Sequence, residues 1–213
     1  MTIRLFLFDL DGTLVDTAPD LALAVNMVRT ARGIAPLPEE ELRPYASRGA
    51  PGLLGKAMGI GRDDPAFLAA HMTDRSRPFE GVPVMLEALR AAGIRTGVVT
   101  NKVEHLALRL TDNLGLDGQL DVVLGSDSEG CAMKPAPDSL LTAARLTGVH
   151  VTDILYAGDD PRDVAAAHAA GMPCAACTWG YAVTPPESWG ADLVAHSPAE
   201  LATWAVQLNA HAL

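Results

Sequence analysis

Cations, cysteines and long apolar runs are all scarce in this chain, and each scarcity removes a class of function. Sixteen Lys and Arg stand against 26 Asp and Glu, a formal net charge of −10. Nucleic acid and anionic membranes are met by clustered Lys and Arg, so neither is expected as a partner. Any anionic substrate must instead be held by a few cations placed locally. The three cysteines, Cys131, Cys174 and Cys177, form no even disulfide framework. Cys174-Ala-Ala-Cys177 has a redox spacing, yet it follows Gly171-Met172-Pro173 where a buried strand should begin, and there cysteine behaves as a small hydrophobe. Apolar runs are broken by Gly, Asp or Arg well short of the ~20 residues that span a membrane. The chain enters a strand-like run at once, and no secretion signal is expected. A cytoplasmic protein, monomer or homodimer, is expected.

Two further absences narrow the chemistry. The six histidines are scattered without metal-ligand spacing, so none is given a role. Gly55-Lys56 resembles part of a nucleoside-triphosphate loop, but Ala50 and Ala57 stand where Gly and Ser or Thr are required. No internal repeat or low-complexity tract is present.

What is there is an alternation. Ile3 to Phe8 is a nearly continuous apolar run ending in Asp9-Leu-Asp-Gly12, as suits a strand buried on both faces. Ile94 to Val99, Val122 to Leu124 and Ile154 to Ala157 repeat the pattern, each ending in polar residues. Helical stretches lie between them: Val84 to Ala92, Glu104 to Leu114, Asp138 to Leu146 and Asp163 to Ala170, with Pro198 to Leu208 as a last helix. This order predicts a parallel α/β sheet covered by helices, with ligands at the carboxyl ends of the strands. From Ala18 to Phe79 there is helical periodicity but no convincing strand. Leu21, Ala24, Val25 and Val28 make an apolar stripe after Pro19, and helices are expected over Glu39–Tyr45, Ala50–Met58 and Pro65–Arg75. The segment is read as a helical cap, giving a core of 1–17 and 80–213 and a cap of 18–79.

The strand ends carry the chemistry. Asp9 and Asp11 flank one residue, and Gly12 lets the chain turn sharply beside them. Two ionised carboxylates in a partly desolvated place are costly unless one is protonated or a cation neutralises them. Gly158-Asp159-Asp160-Pro161-Arg162-Asp163 brings three more acids to another strand end. Asp160 before Pro161 can serve as an N-cap and Asp163 favours the helix dipole, but Asp159 has neither explanation. Two acid clusters on one sheet edge describe a hard-oxygen site, and Mg²⁺ is the expected ion. Thr100-Asn101 offers a hydroxyl, an amide and backbone N–H groups leading into a helix, a phosphate-binding combination. Lys134, stiffened by Pro135 and Pro137, supplies a cation.

In order, Asp9-Leu-Asp-Gly-Thr-Leu-Val-Asp16, Val98-Val-Thr-Asn-Lys102, Lys134-Pro-Ala-Pro-Asp138 and Gly158-Asp-Asp-Pro-Arg-Asp163 resemble the four motifs of the haloacid dehalogenase-like phosphohydrolases. The resemblance covers nearly the whole chain and implies a Rossmann-like core. Within that superfamily the chain is similar to the phosphoglycolate phosphatase group, whose cap follows the first motif. Asp16-Thr-Ala-Pro-Asp20, Asp159-Asp160 and Trp189-Gly-Ala-Asp192 also resemble the N-acetylmuramic acid 6-phosphate phosphatases. The resemblance implies that Asp9 attacks phosphorus while Asp11 protonates the leaving oxygen and later activates water. It implies Mg²⁺ held by Asp9, the backbone carbonyl of Asp11 and Asp159, with Asp160 or Asp163 behind them. Thr100, Asn101 and Lys134 would grip the transferring oxygens. Position 160 departs from the family, which usually has a small hydroxyl residue there.

The expected activity is therefore Mg²⁺-dependent hydrolysis of a small phosphorylated metabolite through an aspartyl-phosphate. Phosphomutase chemistry on the same core is the alternative. A phospho-accepting signalling domain is disfavoured by the early Asp9-x-Asp11 and the helical insertion, and a dehalogenase by Asp11 and Asp159. Arg48, in a turn between two expected cap helices, is the candidate contact for a substrate carboxylate. An isosteric Asp9→Asn change is expected to abolish turnover while barely shifting melting.

Overall fold

The computed structural model describes residues 2–60 and 74–210. Its first half runs β1 (Leu5–Phe8), β2 (Val15–Asp16), α1 (Ala18–Ala31), α2 (Glu39–Leu42), a 3-10 helix (Arg43–Arg48), α3 (Gly49–Met58), β3 (Arg77–Pro78), α4 (Val82–Ala91) and β4 (Arg95–Val99). There follow α5 (Glu104–Asn113), β5 (Val122–Leu124), α6 (Asp138–Thr147), β6 (Ile154–Gly158), α7 (Pro161–Ala170), β7 (Cys174–Cys177), β8 (Leu193–Ala195) and α8 (Pro198–Ala210).

All four residues of β1 are buried, and the strand's two-residue period divides them between two cores. Phe6 and Phe8 pack with Val82, Met85 and Leu89 of α4, Ala107 and Leu110 of α5, and Leu201 of α8. Leu5 and Leu7 pack on the other face with Leu140 of α6 and with Val164 and Ala167 of α7. An all-apolar strand can only lie inside a sheet covered on both faces, and β1 does, between β4 and β6. The sheet order is β5-β4-β1-β6-β7-β8, with every pairing parallel. From β1 the chain lays β4 and β5 to one side, then returns to build β6, β7 and β8 on the other. The order reverses at β1, which opens a crevice at the carboxyl ends of β1, β4 and β6. Asp9, Thr100 and Asp159 are the residues that follow those three strands.

Between β2 and β3 lies a separate helical cluster. The α1 stripe of Leu21, Val25 and Val28 packs on Leu42, Leu53 and Leu54, with Tyr181 completing the group. The chain leaves and returns side by side, since β2 and β3 pair antiparallel with Val15 opposite Pro78 and Asp16 opposite Arg77. Buried Asp20 fastens the return by accepting from the backbone N–H of Arg75 at 3.1 Å and of Ser76 at 2.7 Å.

Several expectations change in detail. The helix expected over Glu39–Tyr45 ends at Leu42 and tightens to the 3-10 form, because Pro44 has no N–H for an α-helical bond. Arg48 therefore ends a 3-10 helix rather than sitting in a turn, and Gly49, at φ 60°, redirects the chain into α3. The helix expected over Pro65–Arg75 lies, except for its last two residues, outside the described residues. The short strands β2, β3 and β8 were not expected, since two or three residues carry no periodicity. Among the described residues no helix is long and apolar enough to cross a membrane.

Candidate active site

The turn after β1 and the start of α7 are built to meet. Gly12, at φ 91°, bends the chain so closely over Asp159 that a Cβ there would overlap its carboxylate. At Gly158 a Cβ would likewise overlap Asp163. Helix α7 opens with a reciprocal capping box, in which Asp160 accepts from the Arg162 N–H at 2.9 Å and Asp163 accepts from the Asp160 N–H at 3.0 Å. Asp163 is thereby turned inward. Carboxylate oxygens of Asp9, Asp159 and Asp163 lie within 4.8 Å of one another, and all three residues are buried.

Among the described residues, Lys134 is the cation paired with Asp9 and Asp163 in this cluster. The residue is 4% exposed, and its ammonium lies 2.6 Å from Asp163 Oδ1, 3.0 Å from Asp9 Oδ1 and 2.7 Å from the Tyr156 hydroxyl. Burial works against its charge, but Asp163 and Asp9 outweigh burial and hold the Lys134 pKa above its ordinary value. The carboxylates move the other way. Burial raises Asp9 from 3.8 to about 6 against the pull of Lys134, with Asp163 and Asp11 adding to the rise. Asp159 is pushed well above the usual range by burial and by Asp9 and Asp163, although the Tyr181 N–H (2.7 Å) and the Thr13 hydroxyl (3.0 Å) both donate to it. Among the described residues one ammonium faces three buried acids, too little positive charge for all three to ionise. Hard oxygen donors with unmet charge fit a Mg²⁺-like cation.

The other expected residues are placed around this centre. Asp11 accepts from Lys102 Nζ, which lies 3.0 Å from each of its carboxylate oxygens. Thr100 is buried, and its hydroxyl accepts from the Lys102 N–H at 3.2 Å. Asn101 spends its amide on the main chain of Lys134, donating to the carbonyl at 3.0 Å and accepting from the N–H at 2.8 Å. It thereby sets the lysine's position. Asp160 lies beside the acid cluster but faces the helical segment: Arg162 bonds it at 2.7 Å and the Ser47 hydroxyl donates to it at 3.4 Å. Despite partial burial, the bonds from Arg162 hold the Asp160 pKa below its ordinary value. Arg48 is exposed, next to Ser47, with its guanidinium 5.6 Å from the centre of the Tyr45 ring and Lys56 at the same distance.

Several contributors were not assigned from the sequence. Lys102 stood inside a quoted motif, and a cation two residues after Thr100 was the available signal. Tyr156, buried on β6, donates to the Val99 carbonyl at 2.8 Å while it supports Lys134. Tyr181 accepts from the N–H groups of Thr17 (2.7 Å) and Ala18 (3.0 Å) and donates to Asp16 (2.8 Å), which also pairs with Arg43 at 2.5 Å. No local pattern announces either tyrosine.

Residues 3–171 match the family model of the haloacid dehalogenase-like hydrolases. A phosphoglycolate phosphatase of Xylella fastidiosa strain Temecula1 is 42% identical over 206 residues, covering 92% of this chain and 90% of that protein. An N-acetylmuramic acid 6-phosphate phosphatase of Pseudomonas aeruginosa is 36% identical over 214 residues, covering 94% of each. Among solved structures, that of a predicted phosphoglycolate phosphatase from Haemophilus somnus 129PT superposes with a TM-score of 0.85 at 27% identity, covering 96% of this chain and 98% of the other.

Proposed function

Because the chain belongs to the haloacid dehalogenase-like hydrolases and is a phosphatase of small phosphate esters, we propose that Asp9 is its nucleophile and Asp11 its acid and base. The observation that carries this reading is the imbalance of buried ionisable groups, three convergent acids against one lysine among the described residues. A phosphoryl group cannot approach such a cluster unless cations offset it. Asp9, Asp159 and Asp163 would hold Mg²⁺, which when bound supplies the positive charge that offsets the phosphate oxygens.

The Leu10 N–H (2.8 Å) and Lys134 both hold Oδ1 of Asp9, and we assign the attack on phosphorus to Oδ2. Attack forms an aspartyl-phosphate as the ester oxygen leaves. Asp11 gives that oxygen a proton, and then takes one from the water that hydrolyses the acyl phosphate and restores Asp9. Lys102 keeps the Asp11 carboxyl oriented through its two contacts. The ammonium of Lys134, fixed by Asn101, Tyr156 and Asp163, meets the charge that develops on the transferring oxygens, with the Thr100 hydroxyl beside it.

Residues 18–79 act in this reading as a cap that closes over the substrate and excludes water. The contact of Ser47 with Asp160 and Arg162 supports it, since it joins that segment to the acid-bearing edge. The substrate is proposed to be a small phosphate ester that also bears a carboxylate, with phosphoglycolate first and N-acetylmuramate 6-phosphate second. Both groups are named for relatives of this chain. Exposed Arg48, one residue from Ser47, is the proposed partner for the carboxylate. Phosphate release from these two esters and from p-nitrophenyl phosphate, in Mg²⁺ and in EDTA, tests the reading. Turnover should require the cation and vanish in Asp9→Asn. Sustained turnover by that variant would exclude the proposed nucleophile.

A further inference from the structure

We propose that His168, Cys174 and Asp192 form a second metal site, for a borderline-soft divalent cation such as Zn²⁺, at the edge of the sheet opposite the acid cluster. Cys174 is the first residue of β7, whereas the acids follow the ends of β1 and β6, so roughly 10 Å of strand separates the two edges. Cys174 Sγ lies 3.4 Å from His168 Nε2 and 3.6 Å from Asp192 Oδ2, and these last two atoms are 3.8 Å apart. Around a tetrahedral zinc with bonds of about 2.3 Å to sulfur and about 2.1 Å to nitrogen and oxygen, the same edges measure about 3.6, 3.6 and 3.4 Å. The triangle is already nearly the size the ion needs.

The donor set also separates this place from the acid cluster. Imidazole, thiolate and one carboxylate suit zinc, whereas three carboxylates suit Mg²⁺. Asp192 is oriented by the Cys174 N–H, which donates to Oδ2 at 2.9 Å. His168 stands in the last turn of α7, where the helix dipole favours positive charge. Cys174 is buried, while the side chains of His168 and Asp192 are about half exposed at 47% and 51%, so the ion's fourth position faces water. Burial pushes the Cys174 thiol up to about 11, so the sulfur–metal bond forms as the thiol proton is released to solvent. The ion would clip the end of α7 to β7 and to the segment entering β8.

Cobalt(II) titrated into the metal-free full chain, with excess Mg²⁺ to fill the oxygen-only site, tests this without reading phosphatase activity. One equivalent should bind with a thiolate-to-cobalt charge-transfer band that Zn²⁺ bleaches. Cys174→Ala should remove the band, Cys177→Ala should leave it, and His168→Gln and Asp192→Asn should each weaken affinity tenfold or more. The His168 change is on an exposed side chain and keeps the fold. No thiolate band in the natural protein, a band surviving in Cys174→Ala, or unchanged affinity in His168→Gln would overturn the proposal.

Discussion

Replacing Asp9 by Asn removes one negative charge from the buried acid cluster and almost no volume, so stability then reports the electrostatics of the site. Burial raises this carboxyl from 3.8 to about 6, with Lys134 opposing and Asp163 and Asp11 adding to the rise. In the folded chain Asp9 keeps its proton up to about pH 6, while in the unfolded chain it releases it near 3.8. Between those values the folded state binds more protons, so its stability falls as pH rises. About two units at ~1.4 kcal/mol each is about 3 kcal/mol by neutral pH. Asn does not titrate and escapes that loss, a net figure that already includes the attraction of Lys134 at 3.0 Å. The metal-free variant at about pH 7 should therefore be more stable than the natural protein by about 1–3 kcal/mol, with the gain fading below about pH 4. Urea unfolding in EDTA at both pH values measures this. With Mg²⁺ at a hundredfold its Kd the natural protein should recover about 2.7 kcal/mol, and the order should narrow or reverse. An Asn variant less stable than the natural protein in EDTA at about pH 7 would refute the claim that burial outweighs Lys134. The case for a cation at this cluster would fall with it.

Asp11→Asn should slow turnover of alkyl phosphates by roughly 10²–10⁴-fold and of p-nitrophenyl phosphate by less, since its leaving group needs no proton. Lys102→Met, which frees Asp11 from two 3.0 Å contacts, should shift kcat in the same unequal way, and equal losses on the two esters would count against Asp11 as the acid. Tyr181→Phe leaves the N–H groups of Thr17 and Ala18 without their acceptor and should cost about 1–3 kcal/mol in urea unfolding; an unchanged midpoint would remove the phenol from the account of how the helical segment is tied down. Arg48→Ala should lower kcat/KM for phosphoglycolate by about 1.5–3 kcal/mol and spare p-nitrophenyl phosphate, whereas a matched loss on both would mean that Arg48 supports closure instead.

The parallel core was legible in the sequence because β1 is apolar at every position, and a strand so composed has no stable place except between two helical layers. Asp9 and Asp159 could be placed at one edge from the sequence because each stands just past such a run, where a parallel sheet exposes its carboxyl ends. The capping box of α7 was half visible in Asp160-Pro161, but only the folded helix turns Asp163 inward and leaves Asp160 to Arg162 and Ser47. Sequence alone also led to the expectation that Asp9→Asn would barely move melting. The depth at which Asp9 is buried makes its charge a cost, and no local pattern encodes that depth. The pairing of Lys102 with Asp11 spans 91 positions, and that of Tyr181 with Asp16 spans 165. His168, Cys174 and Asp192 have no recognisable ligand spacing along the chain; α7, β7 and the entry to β8 bring them within 4.8 Å. Periodicity and strand-end chemistry are local properties, which the order of residues determines by itself. Which side chain meets which across the crevice depends on sheet order and parallel register, and only the tertiary structure decided those.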